Sequence, residues 1–229
     1  MNDSLNGLSI TAIPGSSPQA PLIVLNSFGE EWMGVHKILT DTEFPDHSLL
    51  CISGLDWNNN LSPWEADPVF RGEEAFGGGA DEYLSSLVED LLPGACEMYG
   101  LYPSAVYIAG YSMAGLFALY SLYKTDVFSG CACCSGSLWF PGFLEYCSEH
   151  SFAGSSPLVY LSLGDKEALT KNKVMATVED NTRKIFSRCK ALGAECTFEL
   201  NPGGHFKEPE ARIVRGIRYL LETDKTDNP

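Results

Sequence analysis

The sequence is poor in positive charge and in long apolar runs. Its 229 residues include 15 Lys and Arg against 30 Asp and Glu, which gives a formal net charge of −15. Such a surface repels nucleic acids and anionic membranes, and no basic cluster offsets it. No apolar run approaches the roughly 20 residues that a membrane span requires. We therefore expect no nucleic-acid partner and no membrane partner, and a small molecule is the expected ligand.

The sequence also begins without the features of a secretory signal. Its first residues contain neither a basic region nor an apolar core, so we expect a cytoplasmic protein whose eight cysteines are free thiols. The densest cysteine group is Cys131-Ala132-Cys133-Cys134. It lacks paired Cys-x-x-Cys spacing and a nearby His, so we interpret it as a buried strand and not as a metal site.

Apolar runs alternate with helix-patterned stretches along the whole chain. Continuous runs of Val, Ile and Leu are typical of parallel strands buried on both faces. The alternation predicts one domain, 1–229, with a doubly wound, mostly parallel α/β sheet flanked by helices. The predicted strands are Leu8–Ile13, Pro21–Asn26, Ser48–Ser53, Ala105–Gly110, Phe128–Ser135, Pro157–Leu163 and Cys196–Leu200, and the predicted helices are Glu30–Leu39, Asp81–Met98, Met113–Lys124, Met175–Leu192 and Glu208–Leu221.

A long segment without regular patterning, 57–80, follows one of these strands. It carries Trp57, Phe70 and Phe76 among several Gly, Pro and Asn residues. Long loops in compact domains are usually functional, and α/β proteins place ligands at the carboxyl ends of strands. We expect the segment to act as a cap that supplies aromatic walls to a pocket. The alternative is a surface loop held in place by its aromatic side chains.

The most informative stretch joins a strand-like run directly to a helix-like run through Gly110-Tyr111-Ser112-Met113-Ala114-Gly115. A strand, a sharp turn carrying Ser, and a helix form the nucleophile elbow, which presents the serine hydroxyl above a sheet. Ala114 occupies the second glycine position of the usual Gly-x-Ser-x-Gly pattern, and Gly115 follows it. We predict Ser112 as a nucleophile, although many Gly-x-Ser sequences only cap helices.

A serine nucleophile needs a base, and the chain offers only four histidines. His205 follows the last predicted strand and two glycines, which makes it the candidate base. The base needs a carboxylate to hold its tautomer. We predict Asp165, at the end of the strand Pro157–Leu163, with Glu167 as its rival; the order Ser, Asp, His is that of the α/β-hydrolases.

A serine nucleophile that attacks a carbonyl also needs backbone amides that bind the developing oxyanion. We expect one from Met113, directly after the nucleophile, and a second from the loop after the strand Pro21–Asn26. Phe28 is the favoured second donor and Ser27 the next choice. The usual His-Gly dipeptide is absent from this loop, where Asn26-Ser27 stands instead.

With these residues in place, the chain resembles the α/β-hydrolase superfamily and, within it, the esterases related to esterase D and enterochelin esterase. The resemblance is carried by the elbow, by Ser135-Gly136-Ser137-Leu138-Trp139, by Leu163-Gly164-Asp165-Lys166-Glu167 and by Gly204-His205. It implies that Trp139 lines the substrate pocket, against the alternative of a core aromatic. With Ser27 and Tyr111, Trp139 completes the set that we expect to contact substrate.

The resemblance further implies hydrolysis of a small-molecule carboxylic ester through an acyl-enzyme, without metal or cofactor. The same triad also serves thioesterases and peptidases, and some proteins of this fold bind ligands without catalysis. A thioesterase, a peptidase and a non-catalytic binding protein are therefore the alternative hypotheses. An acidic protein with few Arg or Lys candidates near the pocket is not expected to favour an anionic siderophore.

Overall fold

A computed structural model of the protein describes residues 2–5 and 7–223. The predicted domain, 1–229, thus includes residues 1, 6 and 224–229, which lie outside the described ones. The strands are β1 (Asn2–Leu5), β2 (Leu8–Ile13), β3 (Leu22–Asn26), β4 (Ser48–Ser53), β5 (Glu65–Ala66), β6 (Phe76–Gly77), β7 (Val106–Tyr111), β8 (Gly130–Cys134), β9 (Leu158–Gly164) and β10 (Glu195–Asn201).

Within the described ranges, eight strands form one sheet in the order β1-β2-β4-β3-β7-β8-β9-β10. The strands from β4 to β10 in this order pair in parallel, and β1 and β2 add an antiparallel edge. The predicted doubly wound, mostly parallel sheet is therefore confirmed. The carboxyl ends of β3, β7, β9 and β10 meet at one edge, where α/β proteins place their ligands.

Helices cover both faces of the sheet. They are α1 (Glu31–Asp41), α2 (Trp57–Asn60), α3 (Ala80–Ser86), α4 (Leu92–Tyr99), α5 (Met113–Lys124), α6 (Phe143–Glu149), α7 (Val178–Ala191) and α8 (Pro209–Thr223). One apolar core lies under α3 to α7, and a second lies under α1 and α8. The strand runs are apolar throughout because each is buried between these two layers.

The long helix predicted over Asp81–Met98 is interrupted. A π-helical turn, Leu87–Leu91, separates α3 from α4. Pro93 follows at the start of α4, and its ring nitrogen has no hydrogen to donate to a carbonyl one turn earlier. The hydrogen-bond ladder shifts at this point, which the apolar periodicity alone does not indicate. The seven-residue helix α6 was not predicted either, because it is too short for a clear amphipathic pattern.

The segment 57–80 is more regular than predicted. It contains α2, whose first turn is capped by the Asp56 side chain, and the two short paired strands β5 and β6. Trp64 donates its indole hydrogen to the Pro141 carbonyl oxygen at 2.8 Å, and Phe76 is buried in the core. These contacts fix the segment to the domain. That it closes over a substrate stays a prediction.

Two general properties bear on the function. Across residues 2–5 and 7–223, no helix combines the length and apolar character needed to cross a membrane. Within the same ranges, no three His, Cys, Asp or Glu side chains are grouped so that they could hold a metal ion. The Cys131–Cys134 segment lies in β8 and is fully buried, as predicted for a strand.

Candidate active site

Ser112 lies on the sharp turn between β7 and α5, in the place expected of a nucleophile elbow. Its backbone has φ 58° and ψ −121°, a conformation that is strained for a residue with a side chain. The turn brings β7 and α5 so close that a Cβ on Gly110 would lie 2.4 Å from the Ala114 carbonyl. A Cβ on Gly115 would lie 3.0 Å from the Gly110 oxygen. Alanine is thus tolerated at position 114, whereas Gly110 and Gly115 are the positions that the close approach requires.

The structure brings His205 to this serine from the loop after β10. His205 Nε2 lies 3.2 Å from Ser112 Oγ, and His205 Nδ1 lies 2.7 Å from Glu167 Oε2. A carboxylate can only accept a hydrogen bond, so Nδ1 carries the proton and donates it. The other ring nitrogen, Nε2, is then free to accept the serine hydroxyl proton. The three side chains thus form one continuous hydrogen-bonded chain from Glu167 through His205 to Ser112.

The carboxylate that accepts the hydrogen bond from His205 is that of Glu167. The prediction of Asp165 for this position is therefore wrong. Asp165 Oδ1 accepts a hydrogen bond from the Gly203 amide at 2.7 Å and makes no described contact with the imidazole. The Glu167 amide donates to the Gly164 carbonyl at 3.1 Å, which closes a tight turn after β9. This turn carries the longer Glu167 side chain back over the strand end towards His205.

Glu167 is held ionised by its surroundings. Burial alone would raise the pKa of this carboxyl group, but the hydrogen bond and charge of His205, the Gly164 amide and the Ser135 hydroxyl outweigh burial and lower the pKa below its usual value. Oε1 accepts from the Gly164 amide at 2.6 Å and from the Ser135 hydroxyl at 2.8 Å. The acceptor that His205 needs is therefore maintained at neutral pH.

A fully buried arginine forms hydrogen bonds that hold Glu167 and the His205 loop in place. Arg212 is 1 % exposed, and its guanidinium donates to Glu167 Oε1 at 2.8 Å and to the Gly204 carbonyl, beside His205, at 3.0 Å. It also donates to the Ser135 hydroxyl and to the Tyr111 hydroxyl. One side chain of α8 thus contacts Glu167, the loop that carries His205, and Tyr111, the residue before Ser112.

We expect Arg212→Met to lower the free energy of unfolding by about 3–5 kcal/mol, because it leaves buried Glu167 without its cationic partner. Urea denaturation of the wild type and the variant measures the change. Arg71→Met, at an exposed position, is the control and should change stability by less than about 0.5 kcal/mol. If Arg212→Met lowered the free energy of unfolding no more than Arg71→Met, the contacts of Arg212 would not contribute to stability.

The proposed oxyanion donors differ in how they are placed. Met113 begins α5, so its amide is one of the helix's first, without an intrahelical partner. The Phe28 amide faces the Glu31 carboxylate; burial raises the pKa of Glu31, and this amide opposes the rise without cancelling it. The Ser27 amide instead donates to the Ile52 carbonyl at 2.9 Å, which removes Ser27 as an oxyanion donor. Phe28 and Met113 remain the proposed pair.

A cavity of about 260 Å³ opens over Ser112. Tyr111 lines it with its ring, while its hydroxyl donates to the His205 carbonyl at 2.5 Å. Trp57, from the segment 57–80, forms another wall. The lining consists of Phe28, Glu31, Trp57, Tyr111, Ser112, His205, Phe206 and Pro209.

Two residues expected to contact substrate lie elsewhere. Trp139 is only 9 % exposed and packs against Phe76 and Phe140 in the core, so its assignment to the pocket is corrected to a core aromatic. Ser27 is buried, and its hydroxyl accepts from the Trp32 amide at 3.0 Å, so it shapes the start of α1. The segment around Trp139 does border the site, but through Ser137, whose Oγ lies 3.3 Å from Ser112 Oγ.

Four polar residues at the site were not identified from the sequence: Glu31, Ser135, Ser137 and Arg212. Arg212 had a signal, since it begins the apolar stripe of α8 where a charged residue is out of pattern. Ser135 and Ser137 lie in the segment that carries the family resemblance. Nothing in the sequence marks Glu31 as a site residue, because an acidic residue in the first turn of a helix is ordinary.

The sequence profile of the family described as "Putative esterase" matches residues 30–190, so the chain belongs to that family. Two curated relatives come from Bacillus subtilis (strain 168). The ferri-bacillibactin esterase BesA is 27 % identical over 158 residues, or 64 % of this chain and 53 % of BesA. The uncharacterized protein YbbA is 24 % identical over 150 residues, or 63 % of this chain and 60 % of YbbA.

The chain therefore spans between half and three fifths of the length of these curated relatives. Among solved structures, an IroE-like serine hydrolase from Shewanella oneidensis superposes with a TM-score of 0.79 at 16 % identity. The match covers 94 % of this chain and 76 % of that one. At this identity the likeness shows the fold, which is of the α/β-hydrolase type, and the predicted family resemblance is confirmed.

Proposed function

We propose that the protein is a serine hydrolase that cleaves a carboxylic ester of a small molecule through an acyl-enzyme. The observation that carries the proposal is the bonded chain from Glu167 through His205 to Ser112 at the floor of an open cavity. Its three members come from loops after different strands. Such an arrangement favours catalysis over the non-catalytic ligand-binding alternative.

The mechanism follows from the positions of these groups. His205 Nε2 takes the proton of the Ser112 hydroxyl as its oxygen attacks the ester carbonyl carbon. Glu167, held ionised, stabilises the imidazolium, and the Met113 and Phe28 amides bind the oxyanion. The imidazolium then protonates the leaving alkoxide, which departs and leaves the acyl group on Ser112. Water, deprotonated by His205, releases the acid in the same way.

The partner in this proposal is a small ester, in accord with the limited volume of the cavity. The relatives support the same class of chemistry, since BesA is named a ferri-bacillibactin esterase. Its substrate is not transferred to this chain. A cytoplasmic location and the absence of nucleic-acid and membrane partners stay predictions from the sequence.

We expect 4-nitrophenyl acetate and butyrate to be hydrolysed with kcat/KM at least about tenfold above that of 4-nitrophenyl decanoate, since a cavity of about 260 Å³ accommodates a short acyl group. Nitrophenolate release, corrected for the spontaneous rate, measures this. No hydrolysis of any of these esters would contradict the proposed function, and a preference for the decanoate would contradict the inferred pocket size.

A further inference from the structure

The cavity over Ser112 has an aromatic mouth. Phe28 is 68 % exposed and Phe206 is 93 % exposed, although both are large apolar side chains. The ring of Phe28 meets that of Trp57 edge-on, with centroids 5.2 Å apart. Phe206 meets the His205 ring edge-on, also at 5.2 Å. Exposed aromatic rings grouped around a nucleophile indicate a surface that binds part of the substrate.

One acidic side chain, Glu31, lines the same cavity. It begins α1, directly after the loop that carries Phe28, and is half-buried. Burial raises its pKa, and the negative charge of Glu210 adds to this, while the Phe28 amide and His205 act in the opposite direction without cancelling the rise. None of the ion pairs of the described residues includes Glu31 or Glu210. The charge at this wall is therefore incompletely balanced.

Positive side chains near the cavity are turned away from it. Among the residues that the structure describes, those lining the cavity include no Lys or Arg. Arg212 is committed to Glu167 and to the loop carbonyls beneath the site. The Lys207 side chain, two residues from His205, lies over Gly203, where an added Cβ would meet its stem at 2.5 Å. An anionic group in the cavity would meet aromatic rings and a carboxylate.

We propose that the site selects esters that carry an ammonium group, with Glu31 as the residue that determines this specificity. Aromatic rings attract a cation through their π-systems, with Trp the strongest such partner, and the rings of Phe28, Trp57 and Phe206 line this cavity. The Glu31 carboxylate provides the opposite charge in a partly desolvated place, where Coulomb attraction is stronger than in water. This inference rests on the proposed ester hydrolysis.

A matched pair of probes tests the inference. Acetylcholine and 3,3-dimethylbutyl acetate have the same shape and the same scissile ester, and differ in a quaternary nitrogen against a quaternary carbon. Acetate release by the wild type is measured for both at mildly alkaline pH, so that Glu31 is ionised despite its raised pKa. We expect kcat/KM for the cationic ester to exceed that for the neutral one by about tenfold.

Glu31→Gln should reduce this ratio about fivefold, because the amide keeps the shape of the side chain and loses its charge. The ratio is the readout, since Glu31 also faces the Phe28 amide and its replacement changes the rates with both probes. Glu30→Gln removes the same charge from the neighbouring exposed position and should leave the ratio unchanged.

The outcomes separate the two proposals. Equal kcat/KM for the two probes in the wild type, or a ratio that Glu31→Gln alters no more than Glu30→Gln, would overturn the cation selectivity alone. Hydrolysis of neither probe, together with none of 4-nitrophenyl acetate, would overturn the ester hydrolase and the selectivity with it.

Discussion

Ser112→Ala is expected to lower kcat/KM for 4-nitrophenyl acetate by about four orders of magnitude or more. The expected loss is this large because, in the proposed mechanism, the Ser112 hydroxyl both attacks the ester and receives the acyl group. Nitrophenolate release measures the rate, and circular dichroism verifies that the fold is kept.

Ser187→Ala is the matched control, because this serine lies on the exposed face of α7, away from the cavity, and bonds only to its own helix. It should retain wild-type activity. Retention of more than about a tenth of the activity by Ser112→Ala would contradict the assignment of the nucleophile. Ser137, 3.3 Å away, would then be the next hydroxyl to replace.

Glu167→Gln is expected to lower kcat by about three to four orders of magnitude, while Asp165→Asn should lower it by less than about tenfold. The amide of Gln can donate to His205 Nδ1, which moves the ring proton to Nε2 and leaves no acceptor for the serine proton. The Asp165 carboxylate accepts a hydrogen bond from the Gly203 amide and does not reach the imidazole, so its replacement loosens the loop without changing the tautomer.

The two variants together decide which carboxylate serves the histidine. They have the same chemical change, acid to amide, at positions two residues apart. A larger loss for Asp165→Asn than for Glu167→Gln would contradict the hydrogen bonding seen in the structure and return the role to Asp165. Equal, small losses would show that neither carboxylate orients the imidazole.

Much of the fold was predictable because strands and helices that bury apolar side chains have recognisable sequence patterns. The bounds of β2, β4 and α5 agree with the prediction residue for residue. β4 and α5 are mostly apolar runs, whereas β2, an antiparallel strand, alternates apolar and polar residues. The π-helical turn before Pro93 and the short helix α6 were missed. Both are defined by which backbone groups form hydrogen bonds with each other, and hydrophobic periodicity does not predict this.

The site was predictable only in part. The positions of Ser112 and His205 follow from the strand ends that carry them, and the structure brings their side chains together. Asp165 and Glu167 lie in one turn, and the direction in which each side chain leaves the turn depends on backbone angles that composition does not indicate. Arg212 and Glu31 reach the site from helices that are distant in sequence, so their roles come only from tertiary packing.

Covalent labelling with a fluorophosphonate, followed by peptide mapping by mass spectrometry, tests the central claim most directly. The reagent reacts much faster with a serine whose proton an adjacent base removes than with an ordinary surface hydroxyl. We expect one adduct per chain, on Ser112, formed by the wild type and strongly slowed in His205→Ala. An adduct on another serine, or no adduct while ester hydrolysis persists, would contradict a Ser112 nucleophile activated by His205.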